Sequence, residues 1–283
     1  MRWKGQRQSS NVEDRRGGGM VRAGGKMSVL TIVVVIVISV ITGKNPLALL
    51  QMVGGSQQQS ASTSSGPVQQ SAAEKELADF AKTILASTED AWNAEFQRRG
   101  SKYQTPSMVM FNGNVQSACG VNSERTGPFY CPGDHKLYLA LSFFQQLRRM
   151  GAPGDFAQAY VIAHEVGHHI QNITGTERKM RQMQQQDPRN ANQYLVKLEL
   201  QADCYAGVWA ALSHNQKRWL EEGDVEEGLQ AAASIGDDTL QKNAGQRVNV
   251  ESFTHGSSAQ RVHWLKKGMQ TGDIGQCDTF ASL

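Results

Sequence analysis

Apolar side chains recur at intervals of three and four residues along most of the chain after residue 74, a spacing that predicts amphipathic helices. The first apolar stripe begins near Glu74 and continues through Trp92 and Phe96. The predicted helices cover residues 74–96, 142–150, 155–174, 195–212, 224–234 and 257–268, and a polar helical stretch at 176–193 is predicted to be exposed.

Two short stretches between the first two predicted helices have the composition of strands. Residues 107–111 are mostly apolar and are followed by the turn signal Asn112-Gly113-Asn114. Residues 136–141 follow a second turn signal, Pro132-Gly133-Asp134. Many helices and few strands predict a mainly helical α+β domain.

The N-terminal part of the chain has a different pattern. Residues 28–42 carry no charge, are mostly β-branched and have basic residues on both sides. We interpret residues 28–50 as a single transmembrane anchor, although a charge-free run of 15 residues is short beside the roughly 20 of a typical span. A cleaved signal peptide is the alternative. Residues 51–73 are rich in Gly, Ser and Gln and predict a flexible linker, which leaves residues 74–283 as the folded domain.

Positive charge is concentrated before the predicted anchor. Residues 1–27 carry a net charge of +5 in a chain whose net charge is +3, which leaves −2 for the remaining residues. The small net charge of residues 28–283 argues against nucleic acid as a partner, because phosphate binding needs a concentrated basic face. The positive-inside rule predicts that residues 1–27 form a basic cytoplasmic segment and that the folded domain lies outside the cytoplasm.

The sequence His164-Glu165-Val166-Gly167-His168 is an H-E-x-x-H motif. In a helix, residues four apart differ by about 40° in azimuth, so His164 and His168 can bind one metal ion from the same face. Glu165 lies about 100° away, near the ion but not on it, where a carboxylate can act as a base. Apolar residues precede the motif, so the helix is expected to be largely buried. An accidental match on a solvated helix face is the competing interpretation.

A second acidic pair follows at the spacing of one helical turn. Glu199 lies 31 residues after His168, and Asp203 lies one turn beyond Glu199 on the same predicted helix face. Catalytic zinc commonly has three protein ligands, and two histidines with one glutamate are an established set, so Glu199 is the predicted third ligand. Asp203 is predicted to accept a hydrogen bond from the free ring nitrogen of a liganding histidine.

These motifs resemble those of a known family. H-E-V-G-H followed by E-x-x-A-D resembles the gluzincin metallopeptidases, and several segments resemble the bacterial neutral zinc metallopeptidase family of membrane-anchored proteins. The segments are Met1-Arg2-Trp3-Lys4-Gly5, Asn11-Val12-Glu13-Asp14-Arg15-Arg16, Gln201-Ala202-Asp203-Cys204-Tyr205-Ala206-Gly207 and His255-Gly256-Ser257-Ser258. The resemblance covers nearly the whole chain outside the linker. It implies a zincin-like fold, one Zn²⁺ per chain and a peptidase activity.

Two further assignments depend on the resemblance. It implies a strand at the edge of the cleft to which an extended substrate pairs, and we assign this strand to residues 136–141. It also makes His255 the candidate donor to the developing oxyanion, with an ordinary loop histidine as the alternative. His169 points away from His164 on the helix and is interpreted as structural.

Whether the four cysteines form disulfides depends on the compartment in which the domain lies. Outside the cytoplasm they are disulfide candidates, with three possible connectivities. We prefer Cys119–Cys131 and Cys204–Cys277, with a buried free thiol at Cys204 as the alternative.

The predicted function is hydrolysis of peptide bonds in a protein or peptide substrate by a zinc metallopeptidase of the bacterial cell membrane. Glu165 would take a proton from a water at the zinc and pass it to the leaving amine. One alternative is a zinc-stabilised binding or assembly module without turnover. Glu165 weighs against it, since structural zinc usually has four protein ligands and needs no base. A metal-dependent amidase or esterase acting on cell-wall material remains open as a second alternative.

Overall fold

The computed structural model describes residues 1–17 and 71–281. The helices in these residues are α1 (Ala72–Arg98), α2 (Ser142–Arg149), α3 (Asp155–Ile173), α4 (Thr176–Gln186), α5 (Ala191–Lys217), α6 (Asp224–Ser234), α7 (Asp237–Asn243) and α8 (Ser258–Thr271). The strands are β1 (Val12–Asp14), β2 (Ser107–Met110), β3 (Asn114–Ser117), β4 (Gly120–Ser123), β5 (Phe129–Cys131) and β6 (Lys136–Leu139). The predicted α+β class, mainly helical with small sheets, is confirmed for the described residues.

The predicted membrane anchor at 28–50 lies outside the described residues, as does nearly all of the predicted linker at 51–73. Among the helices of the described ranges, none has both the length and the apolar character needed to cross a membrane.

Ser71 and Glu74 cap the N-terminus of helix α1. The hydroxyl of Ser71 accepts the backbone N–H of Glu74 at 3.2 Å, and the carboxylate of Glu74 accepts the backbone N–H of Ser71 at 2.9 Å. This capping box satisfies two N–H groups that the first helical turn leaves without partners. Helix α1 therefore begins at Ala72, two residues before the predicted start at Glu74.

The main sheet has four strands in the order β1-β2-β6-β5. Strands β1, β2 and β6 are parallel, and β5 is antiparallel to β6. Strands β3 and β4 form a separate antiparallel hairpin. Because β5 ends the strand order, it is the edge of the main sheet on the side opposite β1.

The sequence prediction placed the strand at the edge of the cleft at residues 136–141, and this assignment is wrong. Strand β6 lies inside the sheet, with β2 on one side and β5 on the other. The edge strand is Phe129–Cys131, and it contributes residues to the wall of the cavity described below. Strand β6 is largely buried because Leu137 and Leu139 pack in one hydrophobic cluster and Tyr138 packs in another.

The prediction that residues 1–27 form a segment separate from the folded domain needs correction for residues 1–16. Met1–Arg16 and Gln70–Leu283 belong to one compact unit. Strand β1 pairs in parallel with β2, and Val12 is the register partner of Met108. The ring of Trp3 packs edge-on against Phe80, with ring centroids 5.2 Å apart. The N-terminal segment is thus part of both the sheet and the core.

Polar contacts also hold this N-terminal segment to α1. The buried carboxylate of Glu89 accepts hydrogen bonds from Ser9, Asn11 and Arg7 at 2.6, 2.8 and 2.9 Å. Arg16 donates to the backbone carbonyl of Glu74 at 3.4 Å. A buried carboxylate needs such partners, and here the N-terminal segment supplies all three side chains.

Small residues allow the helices that carry the motifs to approach closely. A Cβ atom on Gly167 of α3 would lie 3.0 Å from the Cα of Ala202 on α5. A Cβ atom on Gly268 of α8 would lie only 2.0 Å from the carbonyl oxygen of Cys204. These contacts are with backbone atoms, which cannot move aside, so α3, α5 and α8 cross at distances that only these small residues permit.

Both preferred disulfide pairings are confirmed. Cys119 is bonded to Cys131 and Cys204 to Cys277. The first ties the edge strand β5 to the loop of the β3–β4 hairpin, and the second ties the C-terminal segment to α5. The described cysteines include no free thiol.

Candidate metal centre

Helices α3 and α5 bring three predicted ligands together. The Nε2 atoms of His164 and His168 are 3.2 Å apart, and the Oε2 atom of Glu199 lies 3.2 Å from the first and 3.4 Å from the second. Gly167 makes this possible, because it lets α3 approach α5 at Ala202, one turn beyond Glu199.

The three ligand atoms have the spacing that zinc requires. Zn–N and Zn–O bonds of about 2.0–2.1 Å in a tetrahedron place neighbouring ligand atoms about 3.3 Å apart. The observed separations are 3.2, 3.2 and 3.4 Å. The residues would therefore fit a zinc ion held by two imidazoles and one carboxylate, and all three line the cavity described below.

The other ring nitrogens of the two histidines are already bound to acceptors. Nδ1 of His164 contacts the carboxylate of Asp203 at 2.8 Å, and Nδ1 of His168 contacts the side-chain oxygen of Gln171 at 2.9 Å. Each Nδ1 therefore carries a proton, so Nε2 is the nitrogen that would bind a metal. The predicted role of Asp203 as acceptor for a liganding histidine matches this geometry.

The charges of these three side chains also favour the binding of a cation. Burial lowers the pKa of His168, but the charge of Glu199 and hydrogen bonds to it outweigh burial and raise the pKa to about 10. Burial raises the pKa of Glu199, but the two histidines outweigh it, and the pKa lies well below its usual value. Without a metal, protons on the imidazoles compensate the carboxylate that would otherwise bind the ion.

Asp203 is the centre of a fully buried network. Its carboxylate accepts hydrogen bonds from His164, from the hydroxyl of Tyr160 at 2.6 Å, and from two nitrogens of Arg261 at 2.9 Å each. Arg261 also donates to the Tyr160 hydroxyl at 3.1 Å. Burial raises the pKa of Asp203, but the charge of Arg261 and the contact with His164 more than offset this and lower the pKa to about 2. Asp203 is thus a buried carboxylate with a lowered pKa, next to the candidate ligand His164.

The sequence pattern alone indicated no role for Arg261 or Tyr160. The signal for Arg261 is its position in α8, where Arg261, Leu265 and Gly268 lie on one face and are all buried. An arginine on the apolar face of a helix indicates a buried anionic partner. No local signal identifies that partner as Asp203, which is 58 residues away.

Glu165 lies on the wall of a cavity of about 700 Å³ that also contains the three ligands and His255. Its side chain is buried, with 8% of the residue exposed. Within the part of the chain that the structure describes, its carboxylate forms no hydrogen bond and no ion pair. A buried carboxylate that faces a cavity without a protein partner is available to accept a proton from a bound water.

His255 lies on the same cavity wall but is half exposed. Its Nδ1 atom contacts the hydroxyl of Thr254 at 2.9 Å and the carboxylate of Asp237 at 3.5 Å. Asp237 also accepts the backbone N–H groups of Thr254, His255 and Gly256, which fixes the loop. The structure therefore places His255 at the cavity but gives it no contact with the ligands among the described residues.

A model of the family described as "Putative neutral zinc metallopeptidase" matches residues 1–280. The chain belongs to this family. It is 45% identical over 294 residues to Uncharacterized protein YpfJ of Escherichia coli (strain K12), with 99% of each chain covered. It is 40% identical over 214 residues to Uncharacterized protein Rv2575 of Mycobacterium tuberculosis (strain H37Rv), with 72% of each chain covered. No solved structure matches.

The ligand role of Glu199 in this zinc metallopeptidase family member can be tested against Glu165, a matched control because each residue is 8% exposed. We expect Glu199→Ala to weaken zinc binding more than about 100-fold, since it removes a direct ligand. Glu165→Gln should stay within about threefold of wild type. Competition with a chromogenic chelator measures both. Equal zinc affinity in wild type and Glu199→Ala would remove Glu199 from the ligand set.

The buried pair of Arg261 and Asp203 predicts a large effect on stability. We expect Arg261→Met to lower the free energy of unfolding of the metal-free protein by about 3–5 kcal/mol, because Asp203 loses its charge partner. Lys266→Met, an exposed change on the same helix, should cost less than about 0.5 kcal/mol. Denaturant titration measures both variants. A small effect of Arg261→Met would mean that Asp203 does not depend on this arginine.

Proposed function

We propose that the protein hydrolyses peptide bonds as a zinc metallopeptidase. One observation carries the proposal: the zinc-spaced atoms of His164, His168 and Glu199 share a cavity with the unpaired carboxylate of Glu165. A structural zinc usually has four protein ligands and no base beside it. Three ligands, an open side and a free carboxylate are the arrangement of a hydrolytic site.

Zinc, when bound, supplies Lewis acidity that polarises a carbonyl group and lowers the pKa of a water. The chain supplies the remaining functions. Glu165 accepts the proton of the attacking water on its carboxylate and returns it to the nitrogen of the leaving amine. Asp203 holds the Nδ1 proton of His164 and so keeps that ring in the tautomer and orientation needed to bind a metal.

We assign His255 as a donor to the oxygen of the carbonyl under attack. Support comes from its place on the cavity wall and from Asp237, which accepts three backbone N–H groups around it. A donor that is fixed before the reaction stabilises developing charge without reorganisation during it.

A zincin-like arrangement is part of the proposal. Helix α3 carries two ligands and the base, α5 carries the third ligand, and the antiparallel edge strand β5 lies along the cavity. An extended peptide bound to the open edge of β5 would run past the metal centre.

The division of roles between base and donor gives a direct test. We expect Glu165→Gln to keep zinc and to lose about 10²- to 10⁴-fold in kcat on unstructured protein substrates, because the amide cannot accept the proton. We expect His255→Ala to keep zinc and to lose about 10²- to 10³-fold in kcat with a smaller change in KM. Wild-type cleavage by Glu165→Gln would mean that the hydrolytic mechanism is wrong. A zinc-loaded wild type that cleaves no peptide or protein would indicate a binding module.

We propose that the domain lies outside the cytoplasm and is attached to the bacterial membrane through residues 28–50. Two disulfides support an oxidising compartment, because cytosolic thiols are kept reduced. Residues Met1–Arg16 belong to the same compact unit as the rest of the domain. Strand β1 pairs with β2, and strand pairing cannot extend through a bilayer, so residues 1–16 would lie on the same side of the membrane as the folded domain and not in the cytoplasm.

Surface labelling tests this arrangement. Gln8 and Gln216 are both exposed, one in the N-terminal segment and one on α5. We expect Gln8→Cys and Gln216→Cys to react equally with a membrane-impermeant maleimide in spheroplasts, while the wild type stays unlabelled because its cysteines are bonded. Labelling of Gln216→Cys alone would support a single crossing. Labelling of neither variant before lysis would place the domain in the cytoplasm.

A further inference from the structure

A second face of helix α3, next to the ligand face, holds the edge strand. His169 follows the ligand His168 directly, and its ring is fully buried. Nδ1 of His169 is 3.0 Å from the hydroxyl of Tyr130, the central residue of β5. Asn172, almost one turn further along α3, donates to the same hydroxyl at 2.9 Å and to the carbonyl of Pro132 at 3.4 Å.

The hydrogen-bond donors among His169, Tyr130 and Asn172 can be assigned from their partners. Nε2 of His169 lies 2.5 Å from the carbonyl oxygen of Gln104, which can only accept, so Nε2 donates. The oxygen of Tyr130 accepts from Asn172, and its single proton is therefore directed to Nδ1 of His169. The hydroxyl of Tyr130 and both ring nitrogens of His169 have partners, which gives β5 one defined position against α3.

Strand β5 has one paired edge and one open edge. It pairs with β6 on one side, and within the described residues no strand pairs with the other side. Phe129 and Tyr130 line the same cavity as His164, His168 and Glu165. The disulfide of Cys131 fixes the far end of the strand. The edge that remains open is therefore held beside the metal centre.

We propose that Tyr130 is a positioning residue: bonded to His169 and Asn172, it sets the distance between the metal-binding helix and the open edge of β5, and so places an extended peptide relative to the metal centre. The inference rests on the proposed peptidase function. It adds the residues that hold the peptide-binding strand to the helix that carries the ligands.

Helix α3 rigidly connects the candidate metal ligand His168 to His169, which anchors β5. His168 and His169 are consecutive residues of α3, so the metal ligand and the anchor of the edge strand cannot move independently. A peptide added to a sheet edge is held by backbone hydrogen bonds, and their register depends on where that edge lies. A displacement of about 1 Å in a reacting group can change a rate by about 10²-fold.

The test compares two tyrosines of the same sheet. Tyr130→Phe removes the hydroxyl that joins β5 to α3. Tyr138→Phe removes a hydroxyl on β6 that donates to Asp134 at 2.7 Å, and it serves as the matched control. The full chain is loaded with zinc, and two probes are titrated: acetohydroxamic acid, which needs only the metal, and N-acetyl-tetraalanyl hydroxamate, which adds a peptide that can reach β5.

We expect Tyr130→Phe to bind acetohydroxamic acid within twofold of wild type and the peptidyl hydroxamate about tenfold more weakly, the size of one well-placed hydrogen bond. Tyr138→Phe should bind both probes as wild type does. If Tyr130→Phe weakens the binding of both probes equally, Tyr130 acts on the metal centre or on folding. If the affinities for both probes stay at their wild-type values, Tyr130 does not place the peptide. Either result overturns the proposal.

A second measurement does not depend on activity. We expect Tyr130→Phe to accelerate backbone hydrogen exchange in residues 129–131 by about tenfold, with Tyr138→Phe as the control. Unchanged exchange there would overturn the proposed anchoring even if zinc did not bind. A wild type that binds both probes but cleaves no peptide would contradict the peptidase function. The ratio of the affinities for the two hydroxamates would still show whether Tyr130 places a peptide.

Discussion

The site depends on the hydrogen bonds that the carboxylate of Asp203 accepts. This carboxylate is fully buried, and its four hydrogen bonds come from α3 and α8 while it belongs to α5. A buried charge without partners is among the largest single costs in a folded protein. The three helices must therefore come together in the one arrangement that satisfies Asp203. That arrangement also orients the imidazole of His164.

Glu199 and Asp203 are one turn apart on the same helix but have different partners. Asp203 is compensated by Arg261, a cation that cannot lose its proton. Within the described residues, the carboxylate of Glu199 forms its ion pairs with the imidazoles of His164 and His168, whose protons a metal ion can replace. One carboxylate is thus committed to the structure, and the other is available to bind a metal. The physical difference lies in the partner and not in the residue itself.

Local spacing predicted the parts of the site that one helix determines. The H-E-x-x-H spacing placed His164 and His168 together, and the turn from Glu199 to Asp203 placed both carboxylates on one face. The strand order could not be predicted, because the neighbours of β6 are set by chain reversals and not by its own composition.

The N-terminal segment was missed for a similar reason. Residues 1–16 are polar and basic and have no periodic apolar pattern, which led to the prediction of a separate basic segment. Their partners are Phe80, Glu89 and β2, more than 70 residues away in sequence. Among residues 1–16, Met1, Trp3 and Val12 pack against the core, too few positions to form a periodic signal. The charge that suggested a cytoplasmic segment is partly used in ion pairs with the domain, as in the pairing of Arg7 with Glu89.

We propose that His164, His168 and Glu199 together form one zinc site. Diffraction from crystals of the zinc-loaded protein, measured at the zinc absorption edge, locates the metal directly. We predict an anomalous peak about 2.0–2.1 Å from Nε2 of both histidines and from Oε2 of Glu199, with a non-protein ligand at the fourth position. A peak elsewhere, or a zinc ion whose fourth ligand is a protein side chain, would contradict a hydrolytic metal centre at this position.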